Sequence, residues 1–164
     1  MVFYKCLNNL PPDNGFATPV VEGKVIGICN SKGEIGPRSL GNRSIISMMN
    51  SVKLRRRVSE TIKQREWYRP LAPIICSEAA NVVLPEAVSS NLSRYMLGSW
   101  KVSKDWQESF QGVIHSDGTV RAQVVPNTKD FSWIHELLLR LWNEYQIPGL
   151  INTSFNKQGQ PILH

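Results

Sequence analysis

The stretch DFSWIHELLLRLWNEYQIPGLINTSFN, residues 130–156, carries the two periodicities that decide the fold class. Phe131, Ile134, Leu138, Leu141, Trp142 and Tyr145 recur at helical spacing, and Leu137 widens the same face, so the segment predicts an amphipathic helix. Asp130 stands where an N-cap carboxylate would accept the first free backbone amides. Pro148-Gly149 breaks the helix, and Leu150-Ile151 opens a strand into Asn152-Thr153-Ser154-Phe155-Asn156.

The same alternation of elements runs upstream. Lys24–Cys29 predicts a buried strand ended by Asn30-Ser31-Lys32-Gly33, and Arg43–Met49 a second strand. Leu54, Val58 and Ile62 are spaced by four, which predicts a helix over 51–64 with Arg55, Arg56 and Arg57 turned to solvent. It ends at Trp67-Tyr68-Arg69-Pro70, because proline disfavours a helical residue before it. Leu71–Cys76 predicts a strand, Ser77–Leu84 a short helix stopped by Pro85, and Tyr95–Val102 a strand. Phe110–His115 and Thr119–Val125 predict a hairpin turned by Ser116-Asp117-Gly118. Residues 1–20 lack periodicity, with a loop at Pro11–Gly15, and are expected to be an extension or linker ahead of a domain over 21–164. Strands interleaved with helices imply an α/β (α+β) sheet domain.

At 164 residues the chain can bury a core of its own. No apolar run approaches the ~20 residues that span a bilayer, and the N-terminus lacks a signal-peptide core, so a cytoplasmic location is expected. Three scattered cysteines, with no CxxC, indicate neither a disulfide framework nor a zinc site. The net charge of +6 is uneven: Lys53, Arg55, Arg56, Arg57, Lys63, Arg65 and Arg69 face only Glu60 and Glu66 in the same stretch. An anionic partner follows, either nucleic acid or a phosphate-bearing small molecule.

Nucleophile-and-base patterns are missing: there is no P-loop, GxGxxG, HExxH or GxSxG. What stands near turns is a set of cations and amides. Gly36-Pro37-Arg38-Ser39-Leu40-Gly41-Asn42-Arg43-Ser44 joins turn residues to Arg38 and Arg43, whose planar forks suit phosphate and carboxylate. Lys63-Gln64-Arg65 closes a helix with Arg69 after it. Arg121 and Gln123 share one side of a strand, as do Ser154 and Asn156. His115 and Asp117 read as turn residues, and Ser154 has no evident base beside it. Such a set offers fixed charge and hydrogen bonds without a proton-transfer group, which suits phosphoryl or nucleotidyl transfer.

Four blocks together resemble one family: GPRSLGNRS (36–44), KQREWYRPLAP (63–73), HSDGTVRAQ (115–123) and NTSFN (152–156). In that order they are similar to the C-terminal domain of NodU/CmcH/TobZ-type O-carbamoyltransferases, over about residues 20–162. The resemblance implies a YrdC-like fold, a twisted mixed sheet flanked by helices with a concave basic face. It implies that ATP activates carbamoyl phosphate to carbamoyl-adenylate there, with Mg2+ accompanying ATP, and that an N-terminal actin-like domain, absent here, carries the group to an acceptor. Lys63 and Arg65 match the KxR element of such domains, Ser154 and Asn156 the SxN element, and Arg121 the arginine of DGTxR. The resemblance thus implies catalytic roles for Lys63, Arg65 and Arg121, and substrate or nucleotide binding by Arg38, Arg43, Arg69, Asn152, Ser154 and Asn156. Three positions depart from the family pattern: Ser39 replaces a usual Ala, Ile46–Asn50 a stretch with Asp-Pro, and Gln160 a usual Glu. The family's tail beyond Pro161-Ile162 is also missing, so a domain shortened at its C-terminal end is expected. The other reading the residues permit is a nucleotide- or RNA-binding module without catalysis.

Overall fold

The computed structural model describes residues 2–3, 16–30 and 32–163. Eight strands form within these: β1 (Val2–Phe3), β2 (Ile26–Cys29), β3 (Arg43–Met48), β4 (Ala72–Cys76), β5 (Trp100–Lys101), β6 (Thr119–Val120), β7 (Gln123–Val125) and β8 (Leu150–Ser154). The helices are α1 (Ala17–Val21), α2 (Val52–Arg56), α3 (Ser77–Val83), α4 (Pro85–Val88) and α5 (Ser132–Tyr145). Six strands make a mixed sheet in the order β1-β2-β3-β8-β4-β7, and β5 pairs with β6 separately. The β1–β2 and β4–β7 pairs are parallel, and the others antiparallel. This is the helix-flanked mixed sheet that the sequence implies. Among the described residues, no helix is long and apolar enough to cross a membrane.

Register decides which side chains meet, because residues paired across a ladder share a face. Ile46, Asn152 and Ala72 lie in one row, and Met48, Leu150, Ile74 and Gln123 in the next. Ser44 pairs with Ser154 on the same face. One end of this face is therefore polar, and the rest joins the apolar core. α5 packs on β4, α3 on β4 and β7, and α1 on β3. Ile134, Leu137, Leu138 and Leu141 of α5 are buried, as the periodicity predicts.

Several expectations are corrected. The hairpin over 110–125 does not form. Lys104–Phe110 is a 3-10 helix, β6 pairs with β5, and β7 runs parallel to β4. Non-local pairing overrode local alternation, and Ser116-Asp117-Gly118 turns only a short loop in which the His115 amide donates to the Thr119 carbonyl. The strand expected over Tyr95–Val102 shrinks to Trp100–Lys101, since Met96 adopts a left-handed conformation (φ 57°) that closes a 3-10 turn. Asp130 does not cap α5: it lies within a 3-10 turn, Lys129–Phe131, that leads into the helix. Pro85 ends α3 but also opens α4, where its missing N–H costs nothing. Phe16, Ala17 and Val20, inside the expected linker, are buried in the core. The loop expected at Pro11–Gly15 lies outside the described residues.

Candidate functional site

The 34–43 loop folds around one carboxylate. Glu34 Oε1 accepts from the backbone N–H groups of Leu40 (2.8 Å), Asn42 (2.6 Å) and Arg43 (3.4 Å). Gly36 (φ 133°) and Gly41 (φ 124°) take backbone angles open only to glycine, and these bends bracket Arg38. Ser39 and Ser44 hydroxyls hydrogen-bond beneath the loop, so the serine that replaces the family's usual alanine has a local partner. Glu34 escapes a motif reading, although an acid inside a basic, glycine-rich block is a visible anomaly.

The KxR turn is shaped by the helix before it. Ser51 caps α2 by accepting from the Leu54 N–H (3.3 Å). The chain then widens into π-helical turns over Arg57–Ile62, and the Lys63 N–H reaches back to the Val58 carbonyl (3.0 Å). Gln64 reverses the chain with φ 51°. Lys63 consequently points inward and is 2 % exposed, while Arg65 turns to the cleft. Lys63 Nζ donates to the carbonyls of Ser154 and Asn156 (both 2.7 Å) and to Asn156 Oδ1 (2.5 Å). Burial, and then Arg65 nearby, lower its pKa to about 8, so the ammonium remains protonated at neutral pH. Lys63 thus ties KxR to SxN. Ser154 Oγ donates to Asn156 Oδ1 (2.6 Å), and Asn156 Nδ2 to the Gln160 carbonyl (2.5 Å).

Two adjoining clefts open over the polar end of the sheet face. The inner one, about 370 Å3, is lined by Arg38, Arg65, Arg121, Asn152 and Ser154 among others. The outer one, about 1210 Å3, lies between the Gly33–Pro37 loop and the segment from Asn156 to Ile162. Pro37, Arg65 and Ser154 line both. Arg121 sits in the two-residue break between β6 and β7 and lines the inner cleft, and Gln123 opens β7. Gln123 Nε2 donates to the Leu40 carbonyl (2.8 Å), and Asn152 Nδ2 to Gln123 Oε1 (2.9 Å) and the Ser39 carbonyl (3.0 Å). The amide pair staples the arginine loop to β7 and β8.

Electrostatics set this cleft apart. Among the described residues, the side chains of Arg38, Arg65 and Arg121 have no hydrogen-bond or ion-pair partner, and the Nε atoms of Arg38 and Arg121 are buried. Burial and the neighbouring cations hold the Arg65 and Arg121 guanidiniums below the usual arginine range. Three like charges converge there, with Glu66 partly offsetting Arg65, and their repulsion is a cost in the free protein that an anion would relieve.

Other site candidates lie elsewhere. Arg43 is buried and lines neither cleft; its Nη1 donates to the carbonyls of Asn30 (2.7 Å) and Asn42 (3.1 Å), bracing the loop from below. Arg69 is exposed and pairs with Glu66 (3.1 Å). Arg56 and Arg57 are exposed. His115 Nδ1 meets the Thr119 hydroxyl (3.0 Å), which donates to Asp117 (2.7 Å), so both serve the turn.

Arg38, Arg65 and Arg121 thus meet the oriented amides of Gln123 and Asn152 over one polar edge of a mixed α/β sheet. The family model described as Carbamoyltransferase C-terminus matches residues 17–164, and the chain belongs to that family. Among similar curated proteins, the Nodulation protein NolNO of Sinorhizobium fredii is 34 % identical over 145 residues, covering 88 % of this chain and 21 % of the relative. The Nodulation protein U of Azorhizobium caulinodans is 31 % identical, covering 88 % and 25 %. An uncharacterized protein of Methanocaldococcus jannaschii is 30 % identical, covering 90 % and 24 %. The chain spans about a quarter or less of the length of these relatives.

Proposed function

We propose that this domain binds carbamoyl phosphate and ATP in the paired clefts and forms carbamoyl-adenylate, as the C-terminal part of an O-carbamoyltransferase. The observation that carries the reading is the convergence on one cleft of Arg38, Arg65 and Arg121, whose side chains lack a hydrogen-bond or ion-pair partner among the described residues. Their forks suit a phosphate, and a charge-assisted hydrogen bond is roughly twice as strong as a neutral one. The larger outer cleft, which shares Arg65 and Ser154 with the inner one, offers room for the nucleotide.

Water converts carbamoyl phosphate to carbamate and phosphate, a carbamate oxygen bonds to the α-phosphorus of ATP, and pyrophosphate leaves. No side chain has to form a covalent intermediate. Arg38, Arg65 and Arg121 neutralise the charge that gathers on the phosphates, and Lys63 holds Ser154 and Asn156 at the mouth. Magnesium would arrive on the triphosphate, with most of its ligands phosphate oxygens and waters. Transfer to an acceptor would need the separate N-terminal domain.

Pyrophosphate release from ATP, dependent on carbamoyl phosphate, tests the reading. The wild-type protein is expected to release it, and Arg121→Ala and Arg65→Ala to lose at least tenfold in rate. Equal rates in all three would overturn the assignment. RNA binding that falls steeply with salt and ignores ATP would favour the non-catalytic module instead.

A further inference from the structure

We infer that the Asn152 carboxamide oxygen selects the carbamoyl end of the donor by accepting a hydrogen bond from its –NH2, so that an acyl phosphate lacking that group is discriminated against. The inference rests on the proposed donor site and names the residue that reads the donor's chemistry.

The orientation of this amide is determined by its neighbours. Gln123 reaches the Leu40 carbonyl at 2.8 Å, and a carbonyl can only accept, so the Gln123 atom there is the NH2. Gln123 Oε1 is thereby turned to Asn152, 2.9 Å away, and requires a donor. The Ser39 carbonyl, 3.0 Å from the same Asn152 atom, requires one too. Two backbone carbonyls therefore fix Nδ2 towards the loop and leave Oδ1 as the free end. Asn152 is 2 % exposed and lines the inner cleft, and its Oδ1 is buried without a hydrogen-bond partner. Leaving such an acceptor unmet is unfavourable, and buried orphans are rare enough to call for a cause.

The rest of the inner cleft contrasts with that atom. Arg38, Arg65 and Arg121 supply donors and positive charge. A phosphate or carboxylate oxygen set against Oδ1 would oppose lone pair to lone pair. An N–H group satisfies it. The complementary ligand is therefore an anion with a primary amide at one end, the description of carbamoyl phosphate. Acetyl phosphate has nearly the same size and shape, but its methyl group would leave Oδ1 unpaired in a site already desolvated.

Calorimetric titration with carbamoyl phosphate, acetyl phosphate and inorganic phosphate tests this, with the Asn152 13Cγ chemical shift as a second readout. Wild-type protein is expected to bind carbamoyl phosphate about 10- to 100-fold more tightly than acetyl phosphate, the range for one buried hydrogen bond. The 13Cγ resonance should move with carbamoyl phosphate only, and Asn152→Ala should bring the affinity ratio close to one. The spectral arm needs no variant, so it decides the matter even where Asn152→Ala does not fold. Equal affinities in wild type, no selective 13Cγ shift, or a preference retained in Asn152→Ala would each overturn the inference. If all three ligands bind equally, only the role of Asn152 falls; if none binds, the donor site falls with it.

Discussion

The Lys63 ammonium donates to both oxygens of Asn156, at 2.7 Å to the main-chain carbonyl and 2.5 Å to Oδ1, across 93 positions of sequence. A third bond, to the Ser154 carbonyl, completes its donors. KxR and SxN are therefore two halves of one joint, with lysine inside and Arg65 at the cleft. Its removal would leave the Asn156 carbonyl without a donor and take a charge-assisted bond from the Ser154 carbonyl and from Asn156 Oδ1, which keep the Asn156 N–H and the Ser154 hydroxyl as donors. Lys63→Met is expected to lower stability by about 1–3 kcal/mol in urea denaturation, the cost of leaving one buried acceptor unsatisfied.

The same lysine gives a pH dependence. Its folded pKa of about 8 lies below its ordinary 10.5, so the folded state releases the proton first. Its contribution to stability is then fully present above about 10.5 and is lost as pH falls through about 8. Stability measured between pH 8 and 10.5 should carry a rising component that Lys63→Met lacks. Anion affinity should move the other way, falling as pH rises past about 8, because deprotonation slackens the Ser154–Asn156 turn and removes positive charge.

Phosphate should stabilise the protein by mass action. At 100 times its Kd, an anion bound only to the folded state adds about 2.7 kcal/mol, roughly 5–10 °C in Tm for a chain of this size. Arg121→Ala should weaken phosphate binding about tenfold or more while leaving Tm without phosphate unchanged or higher, because it removes one of three repelling charges. A phosphate-independent Tm in the wild type would exclude the anion site.

Glu34→Ala should release the loop and spare the sheet. The amides of Leu40 and Asn42, which donate to Glu34 Oε1, are expected to exchange hydrogen faster, and those of β8 to keep their rates. Phosphate affinity should fall with loop order, because Arg38 loses its support.

Gly149→Ala tests close packing. A Cβ there would stand 2.6 Å from the Ile74 carbonyl oxygen and 2.8 Å from Ile75 Cγ1. The variant should lose about 2–3 kcal/mol, read by urea denaturation, because neither backbone nor a core isoleucine can yield cheaply.

Much of the frame was legible in the residues. β2, β3, β4, α5 and β8 follow from local periodicity, and the four motif blocks pointed to the loops that line the cleft. The hairpin expected at 110–125 was not legible, because alternation records that a strand has two faces and says nothing of its partner. Arg38 and Arg43 are also indistinguishable in sequence: both are arginines in one glycine-rich block. The Glu34 loop and the register of β3 send one to the cleft and the other beneath the loop.

By itself, the sequence determined the alternation of helix and strand, the supply of cations and amides, and the family. Spacing of side chains along a chain is a local property, and it survives without knowledge of contacts. Only the tertiary structure decided which charges stay unpaired. That depends on which residues, 29 to 93 positions apart, reach hydrogen-bonding distance once the sheet has formed. Lys63 is consumed by Asn156, Asn152 is oriented by Gln123, and among the described residues the trio Arg38, Arg65 and Arg121 is left without a hydrogen-bond or ion-pair partner, beside one free amide oxygen.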